Sequence, residues 1–243
     1  MTYTATDEWG NTNSVVRTIN VIDPFLAGLS DYEKYAYNLF IEAGYTKEDF
    51  IVGLDNQQYL IIEDNEIKSV SNEIEFLVIP EDVITIGNYT LAQNQLRIVV
   101  IPDSLTSIGY AVFEDNQLTS IVIPDSVITI GNWAFAQNQL TSVVISDSVT
   151  TIGDYAFYYN QLTSVVIPDS VTTIGDYAFY YNQLTEIIFE SDTPPTIEES
   201  TFGDNFDLNA IYVPDNSVYA YRESPYYSRF VDIIKPISEY VGG

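Results

Sequence analysis

Asp147-Ser-Val-Thr-Thr-Ile-Gly-Asp-Tyr-Ala-Phe-Tyr-Tyr-Asn-Gln-Leu-Thr163 recurs without a change 22 residues later, from Asp169 to Thr185. Working outward from this pair, the same spacing links Ile79-Pro80, Ile101-Pro102, Ile123-Pro124 and Ile167-Pro168, with Ile145-Ser146 filling the gap. It also links Ile86-Gly87, Ile108-Gly109, Ile130-Gly131, Ile152-Gly153 and Ile174-Gly175. Asn94, Asn116, Asn138, Asn160 and Asn182 form a third column, each followed by Gln and Leu. Self-similarity at one fixed period is the mark of a stacked repeat, in which each unit borrows its core from its neighbours.

A single unit can be read residue by residue. Leu162 to Ile167 is short and β-branched, which predicts a strand. Pro168 cannot donate to a ladder and ends it, and Asp169-Ser170 suits a turn. Val171, Ile174, Ala178 and Phe179 are expected to point inward from an irregular or partly helical return. Gly175 is expected in a backbone conformation that a Cβ would disfavour. Asn182 is placed to hydrogen-bond the backbone where it turns into the next strand, so the five Asn residues should stack as a ladder. The predicted fold is a repeat solenoid: one short strand per repeat in a parallel sheet, an irregular or partly helical convex side, and a cap at each end.

Composition narrows the function. The apolar fraction is 46% and mean hydropathy is +0.03, and no apolar run is long enough for a membrane helix. The net charge is -27, and the span between Arg97 and Arg222 carries 16 Asp and Glu with no Lys or Arg. Such a field repels phosphate backbones and anionic lipids, which sets aside nucleic acid and anionic membrane surfaces, while the lack of a long apolar run sets aside membrane insertion. The chain has no Cys and no His, so thiolate chemistry and the commonest general base and transition-metal ligand are missing. No phosphate-binding loop, dinucleotide fingerprint or metalloprotease motif occurs. The reading is therefore of a monomeric non-enzyme with no cofactor and no resident metal.

The pattern Leu-x-x-Val-x-Ile-Pro-x-x-Val-x-x-Ile-Gly-x-x-Ala-Phe-x-x-Asn resembles the BspA-like (Treponema pallidum-type) leucine-rich repeats of bacterial surface proteins, over roughly Phe76 to Ile237. One departure is the Asn182-type position, where many members carry a buried Cys. The resemblance implies a leucine-rich-repeat solenoid in a secreted or surface-displayed bacterial protein, hence an extracellular or cell-surface location. It also implies a host or environmental protein or glycan as partner, with adhesion as the activity.

The flanks divide the chain into four parts. Residues 1–22 resemble the final hairpin of a bacterial Ig-like domain, with Trp9-Gly10-Asn11 as its turn. Residues 23–75 are read as an N-terminal cap. Ser30-Asp-Tyr-Glu33 is a capping box opening a helix to about Ala43, with Gly44 as its breaker. Tyr35, Leu39 and Phe40 share one face of that helix, which is expected to cover the open end of the solenoid. Phe50-Ile-Val and Tyr59-Leu-Ile-Ile62 are read as strands of degenerate repeats. Residues 76–190 hold five regular repeats. In residues 191–243, Asp192 to Ile197 is read as an inserted loop, followed by a capping unit with a short helix at about Ser217 to Glu223 and a last strand at Ile233 to Ile237. The start, Met1 to Trp9, has neither a basic nor an apolar region of a signal peptide, and the chain reads as a fragment of a longer protein.

Three surfaces are candidates. If Leu162, Val165 and Ile167 face inward, Val100, Val122, Val144, Val166 and Ile188 form an outward column on the strand face. Ser120, Ser142, Ser164 and Glu186 form a second, with Thr119, Thr141, Thr163 and Thr185 beside it. An exposed apolar stripe rimmed by hydroxyls is what an interaction surface looks like, although Val is also simply favourable on a strand. Tyr155, Tyr158, Tyr159, Tyr177, Tyr180 and Tyr181 form a cluster that reads foremost as stacking along the convex side, and otherwise as contact area for a ligand. Asp103, Asp125, Asp147 and Asp169 form a ladder of turn carboxylates. A glycosidase pair or calcium between rungs are weaker readings of it, and Ser104, Ser126, Ser148 and Ser170 are turn residues. The strand face is the leading site, and a structural spacer within a larger secreted protein is the alternative function.

Overall fold

The computed structural model describes residues 28–70 and 73–241, so the hairpin expected over residues 2–22 lies outside the described residues. The described chain opens with α1 (Asp31–Glu42) and α2 (Lys47–Asp55), followed by an antiparallel hairpin of β1 (Leu60–Glu63) and β2 (Glu66–Val70). From there short strands alternate between two sides of a stack. One side carries β3 (Phe76–Val78), β5 (Ile98–Val100), β7 (Ser120–Val122), β9 (Ser142–Val144), β11 (Ser164–Ile167) and β13 (Glu186–Phe189). The other carries the two-residue strands β4 (Thr85–Ile86), β6 (Ser107–Ile108), β8 (Thr129–Ile130), β10 (Thr151–Ile152) and β12 (Thr173–Ile174). β14 (Ala210–Val213), α3 (Val218–Glu223) and β15 (Ile234–Pro236) close the chain.

Pairing within the stack is parallel and keeps the repeat register. Val143 lies beside Ile121, and Val165 beside Ile187 and then Ile211; on the other side Ile108, Ile130, Ile152 and Ile174 follow one another. The chain folds as a leucine-rich-repeat solenoid. Leu162, Val165, Ile167, Val171, Ile174, Ala178 and Phe179 are all buried, as the pattern requires. Phe113, Phe135, Phe157, Phe179 and Phe202 stack through the interior with centroids 5.2–5.5 Å apart and ring planes within 16°.

The buried Asn column is the device that ties rung to rung. Oδ1 of Asn116, Asn138, Asn160 and Asn182 accepts, at 3.0 Å, the N–H of Leu96, Leu118, Leu140 and Leu162 in the preceding rung. Each Nδ2 donates to carbonyls of both its own rung and the one before, as Asn138 does to Phe113 at 2.8 Å and to Phe135 at 3.2 Å. Buried polar groups persist when they are satisfied in this way.

Two further columns fold in a manner the sequence does not advertise. Tyr89, Ala111, Trp133, Tyr155 and Tyr177, and likewise Gln93, Asp115, Gln137, Tyr159 and Tyr181, all have φ between 51° and 62°. A side chain in this left-handed region costs roughly 1–2 kcal/mol. The return is a hydrogen bond to the next rung: Trp133 N–H reaches Asp154 O, Tyr155 reaches Asp176 O, and Gln137 reaches Tyr158 O, at 2.8–2.9 Å. Gly175, by contrast, does not have a left-handed backbone. A Cβ there would collide with Gly153 and with the backbone and carboxylate of Asp154, so close approach between rungs is what requires glycine.

The flanks differ from expectation in three places. Phe50 to Val52 are helical, because Thr46 and Asp49 form a second capping box that opens α2. The predicted box at Ser30 and Glu33 is present, α1 ends at Glu42, and Gly44 has φ 85°. Asp192 to Ile197 is not a plain insertion. Thr196 pairs in parallel with Thr173, Phe202 extends the Phe stack and Asn205 extends the Asn column, so a sixth rung forms with one extra residue.

The third difference concerns α1. It lies across the outer face of β3 and β5, where Ala36, Phe40 and Phe50 form a cluster with Phe76, Val78, Ile98 and Val100. The open edge of β3 is closed instead by Asn56 and Gln57, which donate side-chain N–H bonds to Phe76 O at 2.8 Å and Val78 O at 2.7 Å.

Candidate binding surfaces

The strand face is set by the two-residue alternation of each strand. In β11 the outward residues are Ser164 and Val166, and parallel pairing places them beside Glu186 and Ile188 of β13. Ser120 and Val122 of β7 lie beside Ser142 and Val144 of β9. Val144 is 58% exposed and Val166 42%; Ser142 and Ser164 are also exposed, while Ser120, Val122, Glu186 and Ile188 are half-buried.

Val100 does not belong to this open surface. It is 2% exposed, because the α1–α2 layer sits on it and Tyr32 Oη donates to the carbonyls of Ile79 and Val100. At the opposite end Tyr240 packs on Tyr212 with centroids 5.0 Å apart and donates to Glu186 Oε1 at 3.2 Å. The open strip is therefore a window of four strands, β7, β9, β11 and β13, between two covers supplied by the chain itself.

The strip is bordered by negative charge. Asp103, Asp125, Asp147 and Asp169 are all exposed in the turns that follow the strands. Burial, and then the charges of Asp103, Glu42 and Asp125, push the Tyr35 hydroxyl above its usual range at the edge of α1. Among the described residues no group of three or more acidic side chains is placed to hold a metal ion. The neighbouring serines are turn residues: Ser104 and Ser170 donate to Val83 O and Val149 O one rung back.

The tyrosine cluster is a set of stacked columns. Trp133, Tyr155 and Tyr177 lie nearly parallel at 4.2 Å and 4.8 Å, and Tyr159 and Tyr181 follow at 5.4 Å. The inner column of Trp133, Tyr155 and Tyr177 is stacked face to face, while Tyr159 and Tyr181 are tilted and remain exposed. The Tyr180 hydroxyl is pushed up to about 12, first by its hydrogen bond to Asp204.

A polar cleft lies at the start of β5, β7 and β9. Its Gln95, Gln117 and Gln139 recur at the repeat spacing and were legible only as the middle residue of Asn-Gln-Leu.

A match to a known family agrees with this architecture. A family profile described as BspA type Leucine rich repeat region matches residues 61–183 and 128–235, in 6 copies. No curated protein sequence matches the chain. A leucine rich cell surface protein from Faecalibacterium prausnitzii is similar at 20% identity and TM-score 0.37, over 65% of this chain and 69% of that one. A leucine-rich repeat protein from Bacteroides ovatus gives 20% identity and TM-score 0.37, over 65% and 57% of the two chains. One from Eubacterium ventriosum gives 16% identity and TM-score 0.34, over 59% and 63%. The chain thus spans less than two thirds of the latter two structures. With its profile match running from residue 61 to residue 235, the chain belongs to the BspA type leucine-rich repeat family.

Proposed function

We propose that this chain is a non-catalytic, surface-displayed binding module that recognises a protein or glycan through the strand face from Ser120 to Ile188. The observation that supports this reading is the column Val122, Val144, Val166 and Ile188, exposed at Val144 and Val166 and half-buried at its two ends, left open between two covers that hide the same column elsewhere. Apolar side chains kept in water on a rigid scaffold are the usual mark of an interaction surface. The hydroxyls of Ser142 and Ser164 beside them supply polar contacts at each rung. Absence of His and Cys from the sequence leaves a nucleophile such as Ser170 without its common partners. An extracellular location and the division into cap, repeats and closing unit belong to the same proposal.

The test is adhesion of the full-length protein carrying Val122→Lys, Val144→Lys and Val166→Lys together. The reading expects adhesion to fall with the fold intact, since these positions face solvent. Unchanged adhesion would leave the chain as a spacer that holds another domain away from the envelope.

A further inference from the structure

The cleft at the strand starts has a volume of about 340 Å³ and is walled by Tyr45, Glu75 and Arg97 on one side and by Gln95, Gln117, Thr119 and Gln139 along its length. Pockets for apolar ligands and cofactors of this size are lined mainly by hydrophobic side chains. Here the lining is amide, hydroxyl, carboxylate and guanidinium, with one aromatic ring. Such a set matches a ligand that offers many hydroxyls and little apolar surface.

The amides are regularly placed. Gln95, Gln117 and Gln139 occupy one repeat column, so their backbones step by the strand spacing of about 4.8 Å. That step is comparable to one hexopyranose unit in a linear chain. Gln117 and Gln139 are exposed, and their side-chain amides have no hydrogen-bond partner among the described residues, so donor and acceptor remain free at each step. Gln95 donates to Glu73 Oε2 at 2.8 Å, adding a carboxylate that can accept from a hydroxyl.

Arg97 stands where the later repeats have Thr119, Thr141, Thr163 and Thr185. Its guanidinium lies 5.4 Å from the Tyr45 ring centroid and 5.8 Å from that of Phe76, and Tyr45 Oη donates to Arg97 O at 3.5 Å. The wall is thereby held in place before any ligand arrives. Glu75 lies 4.0 Å from Arg97 and answers its charge locally, and the net charge of -27 disfavours a polyanion.

We propose that this cleft binds a neutral, linear oligosaccharide laid along the solenoid axis, with successive hexopyranoses meeting Gln95, Gln117 and Gln139. The cleft adjoins the strand face, with Thr119 next to Ser120, but its lining residues are different from the column proposed there, and it does not depend on the function proposed for that face.

Calorimetry of the purified chain with neutral hexasaccharides (β-1,4-glucan, β-1,4-mannan, β-1,3-glucan and α-1,4-glucan), with oligogalacturonate as the acidic control, tests the proposal. At least one neutral series should bind. The double variant Gln117→Ala, Gln139→Ala should weaken it about tenfold or more, as loss of two hydrogen bonds implies, without moving Tm. Thr119→Val should weaken it in the same direction, and Tyr219→Ser, an exposed change on α3 outside both surfaces, should leave it unchanged. The proposal is overturned if no neutral series binds, if oligogalacturonate binds more tightly than all of them, or if the double variant binds as well as the parent. Because adhesion of the Val→Lys variant tests the strand face and the Gln variants test the cleft, failure of one reading is distinguishable from failure of the other.

Discussion

Asn138 Oδ1 accepts the backbone N–H of Leu118, one rung earlier, at 3.0 Å. Asn138 Nδ2 donates at the same time to the carbonyls of Phe113, Phe135 and Ala136. Truncating this side chain strands the buried Leu118 N–H, at a cost of roughly 1–3 kcal/mol, and removes one of the donors to each of the three carbonyls, which keep Asn116, Asn160 and the Asp115 N–H as partners. Asn138→Ala is therefore expected to lose about 3 kcal/mol or more in urea unfolding. Asn94, at the N-terminal end of the column, is half-buried and among the described residues donates to Ala92 O alone. Asn94→Ala is expected to cost less than about 1 kcal/mol. Equal losses at the two positions would show that the column does not act as a tie between rungs.

The solenoid itself was legible because its inward positions are spelled in every copy. Where neighbouring units say the same thing, the common core follows from the period alone. The site was less legible. Val100 and Val122 hold the same repeat position, yet one is buried under α1 and the other faces the open strip. Nothing in the amphipathic pattern of α1 says which side of the stack it covers, since the end of the solenoid and the outer face of β3 are both apolar. The left-handed columns were invisible for another reason. Tyr155 and Gln137 carry no sequence signature of positive φ, and the hydrogen bonds that hold them there come from the next rung.

Phe40 anchors the cover over Val100. It is fully buried, with ring centroids 5.5 Å from Phe50, 6.0 Å from Tyr45 and 6.2 Å from Phe76. Phe40→Ala is expected to cost about 3–5 kcal/mol locally. In a repeat stack each unit contacts only its neighbours, so the damage should stay near the end. Hydrogen exchange should accelerate across α1 and α2 and leave the amides of Leu140 and Leu162 protected. Faster exchange along the whole stack would refute this local picture.

Gln137 tests the cost of the left-handed columns. It is exposed at φ 55°, and its N–H bond to Tyr158 O at 2.8 Å is made by the backbone, so any residue except proline can make it. Gln137→Gly removes the Cβ conflict at some cost in unfolded-chain entropy, and a gain of up to about 1 kcal/mol is expected. Gln137→Val places a β-branched side chain in the same conformation and should lower Tm. If both variants melt together, strain at this column is negligible.

Glu114 links the acidic composition to pH. Burial, and then the charge of Asp115, hold its carboxyl above the ordinary value of 4.5. A carboxyl raised in the folded state binds its proton more tightly there than in the unfolded chain. It therefore favours the fold while protonated, and that advantage is lost as pH rises from the unfolded value through the raised one. Glu114→Gln removes the ionising group and keeps the shape. The variant should match the parent at acid pH below the ordinary value, then melt progressively higher than the parent as pH rises, with the difference level by neutrality. Asp115→Asn removes the neighbouring charge and should shift stability in the same direction by less. Melting curves from pH 3 to pH 8 decide the point, since a Glu114→Gln difference that is flat with pH, or that falls as pH rises, contradicts a raised carboxyl.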